Sequence, residues 1–231
     1  MVGSSAAPRV LLSRGALAQN AATVLAAGGV VDLRHEAFGH GMVEVARIVT
    51  DAGAEAVIVD SPDDVARLGA DNIAARTDGR GSIDPHQLFG IPNSTALLDS
   101  VPVMRLEGRV LSTKPLHAGE AVSYGYTHRA ALDCRVALVT GGYAQGILRA
   151  LGNHADVQIG ERVFPVVGRI AMDVCVVDLG DSDVDAGTPV VFFGGAGPLR
   201  GALAQWSEVT GLTALEMAVV IGSQGDREWS A

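Results

Sequence analysis

The chain has 231 residues, of which 48% are hydrophobic and 19% are charged, so it has enough apolar sequence for a packed core. Seventeen lysines and arginines against 26 aspartates and glutamates give a net charge of -9, which argues against a nucleic-acid-binding protein. Two cysteines exclude a disulfide scaffold and a four-cysteine zinc site. No apolar run reaches about 18 residues and the first residues lack a signal-peptide pattern, so we expect a cytoplasmic protein with no membrane partner.

Short strands alternate with helices in the first hundred residues. The predicted elements are a strand at 10–12, a helix at 15–27 capped by Ser13, a strand at 30–33, a helix at 42–52, a strand at 56–59, and a helix at 62–68 capped by Ser61. This alternation is typical of parallel βαβ units. It stops at Gly69, and two such units are too few to close a barrel, which needs about eight strands.

The rest of the chain is predicted to be mainly β structure. The predicted strands are 103–113, 135–140, 157–159, 163–170, 174–178 and 190–193, with a two-residue hairpin loop at Gly160 and a helix at 201–210. We therefore predict an α+β protein. An α/β part covers residues 1–100, and a compact antiparallel sheet domain of barrel or sandwich type covers residues 101–231. We also expect the strand at 10–12 to pair with the β domain.

Three segments contain ligand-type residues, but their spacing does not match known motifs. His35 and His40 are five residues apart, whereas the helical H-E-x-x-H zinc motif needs four. The acidic residues at 181–185 lack the glutamate that completes a calcium loop. The glycines at 194–197 lack the GK[ST] ending of a phosphate-binding loop. The sequence therefore predicts no metal site.

All three tyrosines lie in glycine-flanked turns. Tyr124 and Tyr126 belong to the segment V-S-Y-G-Y-T at 122–127, and Tyr143 belongs to G-Y-A-Q-G at 142–146. The segment V-G-R-I-A-M-D follows at 167–173. Tyrosines pack well at sheet corners because they join an apolar ring to a polar tip. Their clustering favours a functional site, although spacing alone does not decide between the two interpretations.

In this order the motifs resemble the C-terminal domain of the alanine racemase family, in which V-S-Y-G-x-T, G-Y-A-D-G, V-G-R-x-x-M-D and G-x-x-V-x-x-F-G follow one another. The fourth motif lies at 187–194. Near the N-terminus, residues 34–41 resemble the family's K-A-D-A-Y-G-H-G motif, and residues 84–90 resemble its last barrel strand. The middle of the family's barrel has no counterpart after about residue 68. The resemblance therefore implies that residues 1–100 are a truncated α/β part, similar to a piece of a TIM barrel, and that residues 101–231 form an antiparallel β-barrel.

The resemblance implies a homodimer that binds pyridoxal phosphate in the barrel mouth. In the family, a lysine holds the cofactor as a Schiff base and exchanges the substrate proton on one face. A tyrosine of the partner subunit acts on the other face. Tyr124 takes the position of that tyrosine, and Tyr143 and Met172 take positions near the substrate. Arg34 takes the position of the lysine.

Arg34 is the decisive departure from the family pattern. A guanidinium stays protonated, with a pKa above about 12, so it cannot form the Schiff base or act as a base near neutral pH. Phe38 and Leu215 stand where the family has phosphate-binding tyrosines, and Gln145 replaces the aspartate of G-Y-A-D-G. We therefore expect no bound pyridoxal phosphate.

Three functions stay open at this point. The first is a degenerate, non-racemising homologue that serves as a binding, assembly or regulatory module. The second is a subunit that pairs with a full-length alanine racemase and donates Tyr124 to its site. The third is a functional racemase that supplies D-alanine for cell-wall precursors, with Lys114 or free cofactor in place of the family lysine. We expect a homodimer, because a short parallel sheet does not bury both of its faces alone.

Overall fold

The computed structural model describes residues 7–93 and 99–230. The helices are α1 (Arg14–Val24), α2 (Arg34–Gly39), α3 (Met42–Asp51), α4 (Pro62–Gly69), α5 (Pro85–Phe89), α6 (Ala202–Thr210) and α7 (Ala214–Gln224). The strands are β1 (Arg9–Ser13), β2 (Val30–Asp32), β3 (Ala56–Ile58), β4 (Ala75–Arg76), β5 (Met104–Leu116), β6 (Ala121–Val122), β7 (His128–Arg129), β8 (Cys134–Thr140), β9 (Asp156–Ile159), β10 (Arg162–Val167), β11 (Val174–Gly180), β12 (Pro189–Phe193) and β13 (Asp226–Ser230). In these two ranges, no helix has the length and apolar character needed to cross a membrane.

A closed antiparallel barrel forms the larger part of the molecule. Its strands follow the order β12-β9-β10-β11-β8-β5, and β5 pairs again with β12 to close the ring. Short, Val-rich strands separated by glycine turns suit such a ring, because each strand needs only a few inward-facing apolar residues. The predicted α+β class with a C-terminal β-barrel is confirmed.

Two further strands extend the barrel sheet beyond β5. β1 pairs antiparallel with β5, and β13 pairs parallel with β1 along its other edge. The buried carboxylate of Glu107 on β5 reinforces this junction, since it accepts hydrogen bonds from Arg9 at 2.7 Å and from Arg105 at 2.5 Å. The first and last described strands are therefore fixed to the barrel.

A small parallel sheet lies in the first part of the chain. It has the order β2-β3-β4, so the strand alternation continues past Gly69 and the prediction that it stops there is wrong. The free edge of β2 is covered by a loop, in which the backbone N–H of Ser82 donates to Val30 O and the Ser82 hydroxyl accepts from Val30 N. This loop supplies the polar partners that a neighbouring strand would supply in a complete barrel.

Both faces of this sheet are buried within the single chain. Val31, Val57, Ile58 and Val59 are each at most 1% exposed. The three valines belong to one core that also contains side chains of the helices and of the barrel interior. Ile58 is buried outside that core cluster. The packing reason given above for a homodimer is therefore wrong, because no partner is needed to cover the sheet. The homodimer itself stays a prediction.

The segment at 84–90 is a helix rather than the barrel strand that it resembles. Asp84 caps α5 by accepting from the His86 N–H, and Gly90 ends the helix with a positive φ of 61°. The side-chain amide of Asn20 on α1 fixes this segment by donating to Leu88 O and Val101 O. Phe89 is thereby held in the core with no exposed surface.

Local signals placed several elements correctly. The Ser13 and Ser61 side chains cap α1 and α4, and Gly160 lies in the two-residue loop that joins β9 to β10. The strand predicted at 163–170 ends earlier, at Val167. The sequence analysis did not predict α7 or β13.

Candidate functional site

The carboxyl end of β2 brings Arg34 and Asp32 together. The Arg34 Nε donates to Asp32 Oδ1 at 2.9 Å, and its Nη2 donates to Asp32 Oδ2. Burial raises the pKa of the Asp32 carboxyl, but hydrogen bonds from the Arg34 side chain and backbone and its positive charge outweigh burial, so the pKa is lowered overall. The same pair raises the pKa of Arg34 above its usual value. The guanidinium is therefore already neutralised by a carboxylate of its own chain.

The next four residues form one turn of left-handed helix. His35, Glu36, Ala37 and Phe38 all have φ between 53° and 56°. Non-glycine residues avoid this conformation, which costs roughly 1–2 kcal/mol per residue. Such strain persists only where the surroundings hold the backbone, and it is concentrated at functional sites.

Hydrogen bonds hold this turn at both ends. The Arg34 N–H donates to Asp32 Oδ1 at 3.1 Å, and the His35 N–H donates to Asp60 Oδ2 at 2.7 Å. Asp60 lies just after β3, so the carboxyl ends of two neighbouring strands fix the start of the turn. At the other end the Gly41 N–H donates to Glu36 O, and the Glu36 carboxylate accepts from Arg227 on β13.

Aromatic packing closes the space beside the turn. The His40 ring stacks on Phe89 with centroids 4.1 Å apart, and the Phe38 ring tilts against Phe89 at 6.1 Å. His40 is fully buried, which lowers its pKa to about 4 despite hydrogen bonds to the carbonyls of Ala37 and Phe38. At neutral pH it is an uncharged core side chain, and its Nε2 has no partner among the described residues.

The tyrosine motifs lie on the barrel and are open to solvent. Tyr124 is 68% exposed, Tyr143 is 38% exposed and Met172 is 54% exposed. Two contacts join them: the Ser123 hydroxyl donates to Arg169 O at 2.6 Å, and the Ala144 N–H donates to Met172 O at 3.0 Å. We call the surface formed by the Tyr124 turn, the Tyr143 turn and the loop at 169–173 the tyrosine face.

Gln145 stabilises the tyrosine face. Its Oε1 accepts from the Gly142 N–H, and its Nε2 donates to Asp173 Oδ1, both at 3.0 Å. Gly142 is required here, because a Cβ at this position would lie 2.3 Å from Met172 O. The Arg149 guanidinium lies over the Tyr143 ring at 5.4 Å. The turn is thus well ordered by local contacts, while the Tyr124 hydroxyl has no partner in the described part of the chain.

Helix α7 links the end of β2 to the tyrosine face. It packs against α2 where Gly39 meets Gly222, since a Cβ on Gly222 would lie 2.1 Å from Gly39 O. On its other side it contacts the Tyr143 turn through Ile221 and Gly146. Leu215 lies half-buried in its first turn and packs on the core.

The predicted site residues therefore fall into two groups. Arg34 and Phe38 lie at the end of β2, whereas Tyr124, Tyr143 and Met172 lie on the tyrosine face. Within the described chain, no hydrogen bond or ion pair joins the two groups. In the ranges 7–93 and 99–230 no group of three or more His, Cys, Asp or Glu side chains is arranged to hold a metal ion.

Asp32, Asp60 and Phe89 belong to this region but were not predicted from the sequence. Asp32 and Asp60 each follow an apolar run that ends a parallel strand, where polar side chains meet at one edge of the sheet. The position of these two aspartates could therefore have predicted from the sequence that they lie close together. Phe89 had no such signal, because its contact with His40 depends on the fold.

Comparisons with known proteins place the C-terminal part in a defined family. The model of the family described as alanine racemase, C-terminal domain, matches residues 103–229, more than half of the chain. An alanine racemase of Mycolicibacterium vanbaalenii is 40% identical over 126 residues, which are 54% of this chain and 32% of the relative. One of Chlorobaculum tepidum is 46% identical over 101 residues, which are 43% of this chain and 26% of the relative. The matched part thus spans about a third or less of these curated relatives.

Solved structures show the same fold. The alanine racemase from Streptomyces coelicolor A3(2) aligns with a TM-score of 0.84 at 18% identity, over 97% of this chain and 98% of that one. The one from E. faecalis aligns with a TM-score of 0.82 at 17% identity, over all of both chains. From the match of residues 103–229 it follows that the chain belongs to the alanine racemase family.

Proposed function

We propose that this chain is a non-racemising member of the alanine racemase family that serves as an assembly or regulatory module. The observation that carries the proposal is the Arg34–Asp32 pair at the end of β2. A guanidinium cannot attack an aldehyde, and here it is also held by a carboxylate. The position that resembles the family's cofactor lysine therefore has a structural partner instead of a reactive nitrogen.

Three features of this strand end argue that pyridoxal phosphate does not fit it. No side-chain amine is present, because Lys114, the chain's only lysine, lies on β5 of the barrel. Phe38 has no hydroxyl for a phosphate, and its ring contacts Phe89. Leu215, the second position that resembles a phosphate-binding tyrosine, packs on the core.

The proposal is tested by mixing the purified chain with pyridoxal phosphate and removing free cofactor by gel filtration. We expect no stoichiometric visible absorbance from retained cofactor. The Lys114→Arg variant is the matched control, since it keeps the charge and removes the only side-chain amine. Stoichiometric retention by either protein would contradict the proposal.

A second candidate function is a subunit that completes the site of a full-length alanine racemase. The observation that favours it is the exposed Tyr124, whose hydroxyl has no partner among the described residues. In this case the chain would present a phenol to a partner that has its own cofactor lysine.

This candidate is tested by sedimentation and racemase assays of mixtures with a full-length alanine racemase. It predicts a heterodimer and a changed rate, and it predicts that Tyr124→Phe keeps the association and removes the rate effect. Absence of association at roughly micromolar concentration would rule it out.

We also propose that the tyrosine face mediates self-association. Large apolar side chains such as Tyr124 and Met172 are more than half exposed there, which is common at protein interfaces. A sedimentation mass of twice 23.7 kDa is expected, and it should fall toward 23.7 kDa in a Met172→Asp variant. A monomer at high concentration would exclude the self-association.

A further inference from the structure

A separate cleft of about 350 Å³ lies between the end of β5 and the β6–β7 hairpin. Its lining residues are Lys114, Leu116, Glu120, Ala121, Tyr126 and Arg129. None of these residues belongs to the strand end around Arg34. Tyr126 belongs to the same turn as Tyr124, so the cleft borders the tyrosine face, while its other lining residues lie outside that face.

Two cations without carboxylate partners line this cleft. The backbone of Lys114 pairs with β8, whereas its ammonium group makes no hydrogen bond or ion pair with any residue in the described ranges. Arg129 on β7 donates through Nη1 to Gly119 O at 3.0 Å and pairs with no described carboxylate. Because the two side chains come from different strands and carry the same charge, an anion between them would be attracted by both.

Glu120 adds a carboxylate to the same cleft. One of its oxygens accepts from the His117 N–H at 2.8 Å, and the carboxylate keeps further capacity to accept hydrogen bonds. A fully deprotonated anion meets repulsion at this group. An anion that still carries a proton can donate to Glu120 while its other oxygens face Lys114, Arg129 and the Tyr126 hydroxyl.

We propose that this cleft binds inorganic phosphate and discriminates against sulfate. At neutral pH inorganic phosphate carries a proton on at least one oxygen, whereas sulfate carries none. The unprotonated oxygens of phosphate can therefore accept from the two cations and the phenol, and its protonated oxygen can donate to Glu120. Sulfate has no proton to donate, so one of its negative oxygens would face the Glu120 carboxylate. This inference goes beyond the proposed function and does not depend on it.

The test is titration calorimetry of the full chain with sodium phosphate and with sodium sulfate at matched ionic strength. Phosphate is expected to bind roughly tenfold more tightly than sulfate or better. The reason is that phosphate donates a hydrogen bond to the Glu120 carboxylate, whereas sulfate is repelled by it. Lys114→Gln and Arg129→Gln are each expected to weaken phosphate binding by a similar factor. Arg80→Gln is the matched control, because Arg80 is exposed and lies outside the cleft. It should bind as the unmodified chain does.

Glu120→Gln tests the discrimination itself. The amide can donate to sulfate, so this variant should bind the two anions with nearly equal affinity. Thermal unfolding of every variant checks that the fold is kept. The proposal is overturned if titration of the unmodified chain with phosphate releases or absorbs no heat of binding. It is also overturned if Lys114→Gln binds phosphate as tightly as the unmodified chain does, or if the unmodified chain binds sulfate as tightly as phosphate.

Discussion

The carboxyl end of β2 and the tyrosine face both contain segments that resemble motifs of the alanine racemase family, but they differ in how their polar groups are used. At the end of β2 the charged groups pair with one another, as Arg34 does with Asp32, and His40 is buried. On the tyrosine face the backbone is ordered, while Tyr124 and Met172 stay exposed. The first region thus stabilises the fold, and the second leaves large side chains exposed to solvent.

This difference separates residues that stabilise the fold from residues that we propose take part in association. A charged group that is already paired within its own chain is not free to bind a ligand or to react. Substitutions at the end of β2 should therefore change the free energy of unfolding. Substitutions on the tyrosine face should change association and leave stability nearly unaltered.

The largest expected effect is that of Phe89→Ala. Phe89 is fully buried beneath Phe38 and His40, so truncation leaves a cavity and removes two aromatic contacts. The free energy of unfolding should fall by about 3–5 kcal/mol in urea denaturation. Leu132→Ala, at a residue 77% exposed, is the control and should have little effect. A small loss for Phe89→Ala would contradict a packed strand end.

A pH dependence of stability should arise from His40. Its folded pKa of about 4 lies below the ordinary value of 6.5, so the unfolded chain binds the proton more readily as the pH falls between these values. Stability should therefore decrease from pH 6.5 to pH 4, by roughly 3 kcal/mol from this group.

The contribution of His40 is isolated by comparing urea denaturation of the unmodified chain and of His40→Asn across this pH range. Asparagine keeps a hydrogen-bond donor near the carbonyls of Ala37 and Phe38 but does not titrate. The variant should be less stable at pH 7 and should lose less stability on acidification. Parallel pH profiles for the two proteins would show that His40 is not buried in its neutral form.

A smaller effect is expected for Asp32→Asn. The change removes the charge that pairs with Arg34 and weakens the acceptor for the Arg34 N–H. Because the pair is partly exposed to solvent, the loss should be about 1–2 kcal/mol. Asp63→Asn, an exposed change in the first turn of α4, serves as the control. Equal stability of the two variants would mean that the Arg34–Asp32 pair does not hold the turn.

The smallest effect on stability is expected for Tyr124→Phe. The side chain is 68% exposed and its hydroxyl bonds to no described residue, so unfolding free energies should agree within about 0.5 kcal/mol. Urea denaturation of the two proteins makes the comparison. A larger loss of unfolding free energy would show that the Tyr124 hydroxyl stabilises the fold. The distinction between the two regions would then not hold.

Elements with strong local signals could be predicted from the sequence. Ser13 and Ser61 precede helices whose first N–H groups they cap, and the barrel strands are short Val-rich runs between glycine turns. Helix α7 has a comparable local signal, because Thr213 and Glu216 form a capping box, so this helix could also have been predicted. The motifs of the tyrosine face were also local, and they led to the correct family.

Features that depend on distant contacts could not be predicted. The pairing of β1 with β13 joins residues at opposite ends of the chain, and no local pattern specifies it. The left-handed turn from His35 to Phe38 contains no glycine, so residue type argued against it. It exists because Asp32, Asp60 and Arg227 hold it from other elements.

The most direct test of the central claim is to treat the chain with pyridoxal phosphate and L-alanine, trap any covalent adduct with borohydride, and measure D-alanine in the same mixture. We expect no stoichiometric adduct on any peptide of the chain and no D-alanine above the level produced by the cofactor alone. A stoichiometric pyridoxyl adduct together with D-alanine that disappears in Tyr124→Phe would contradict it.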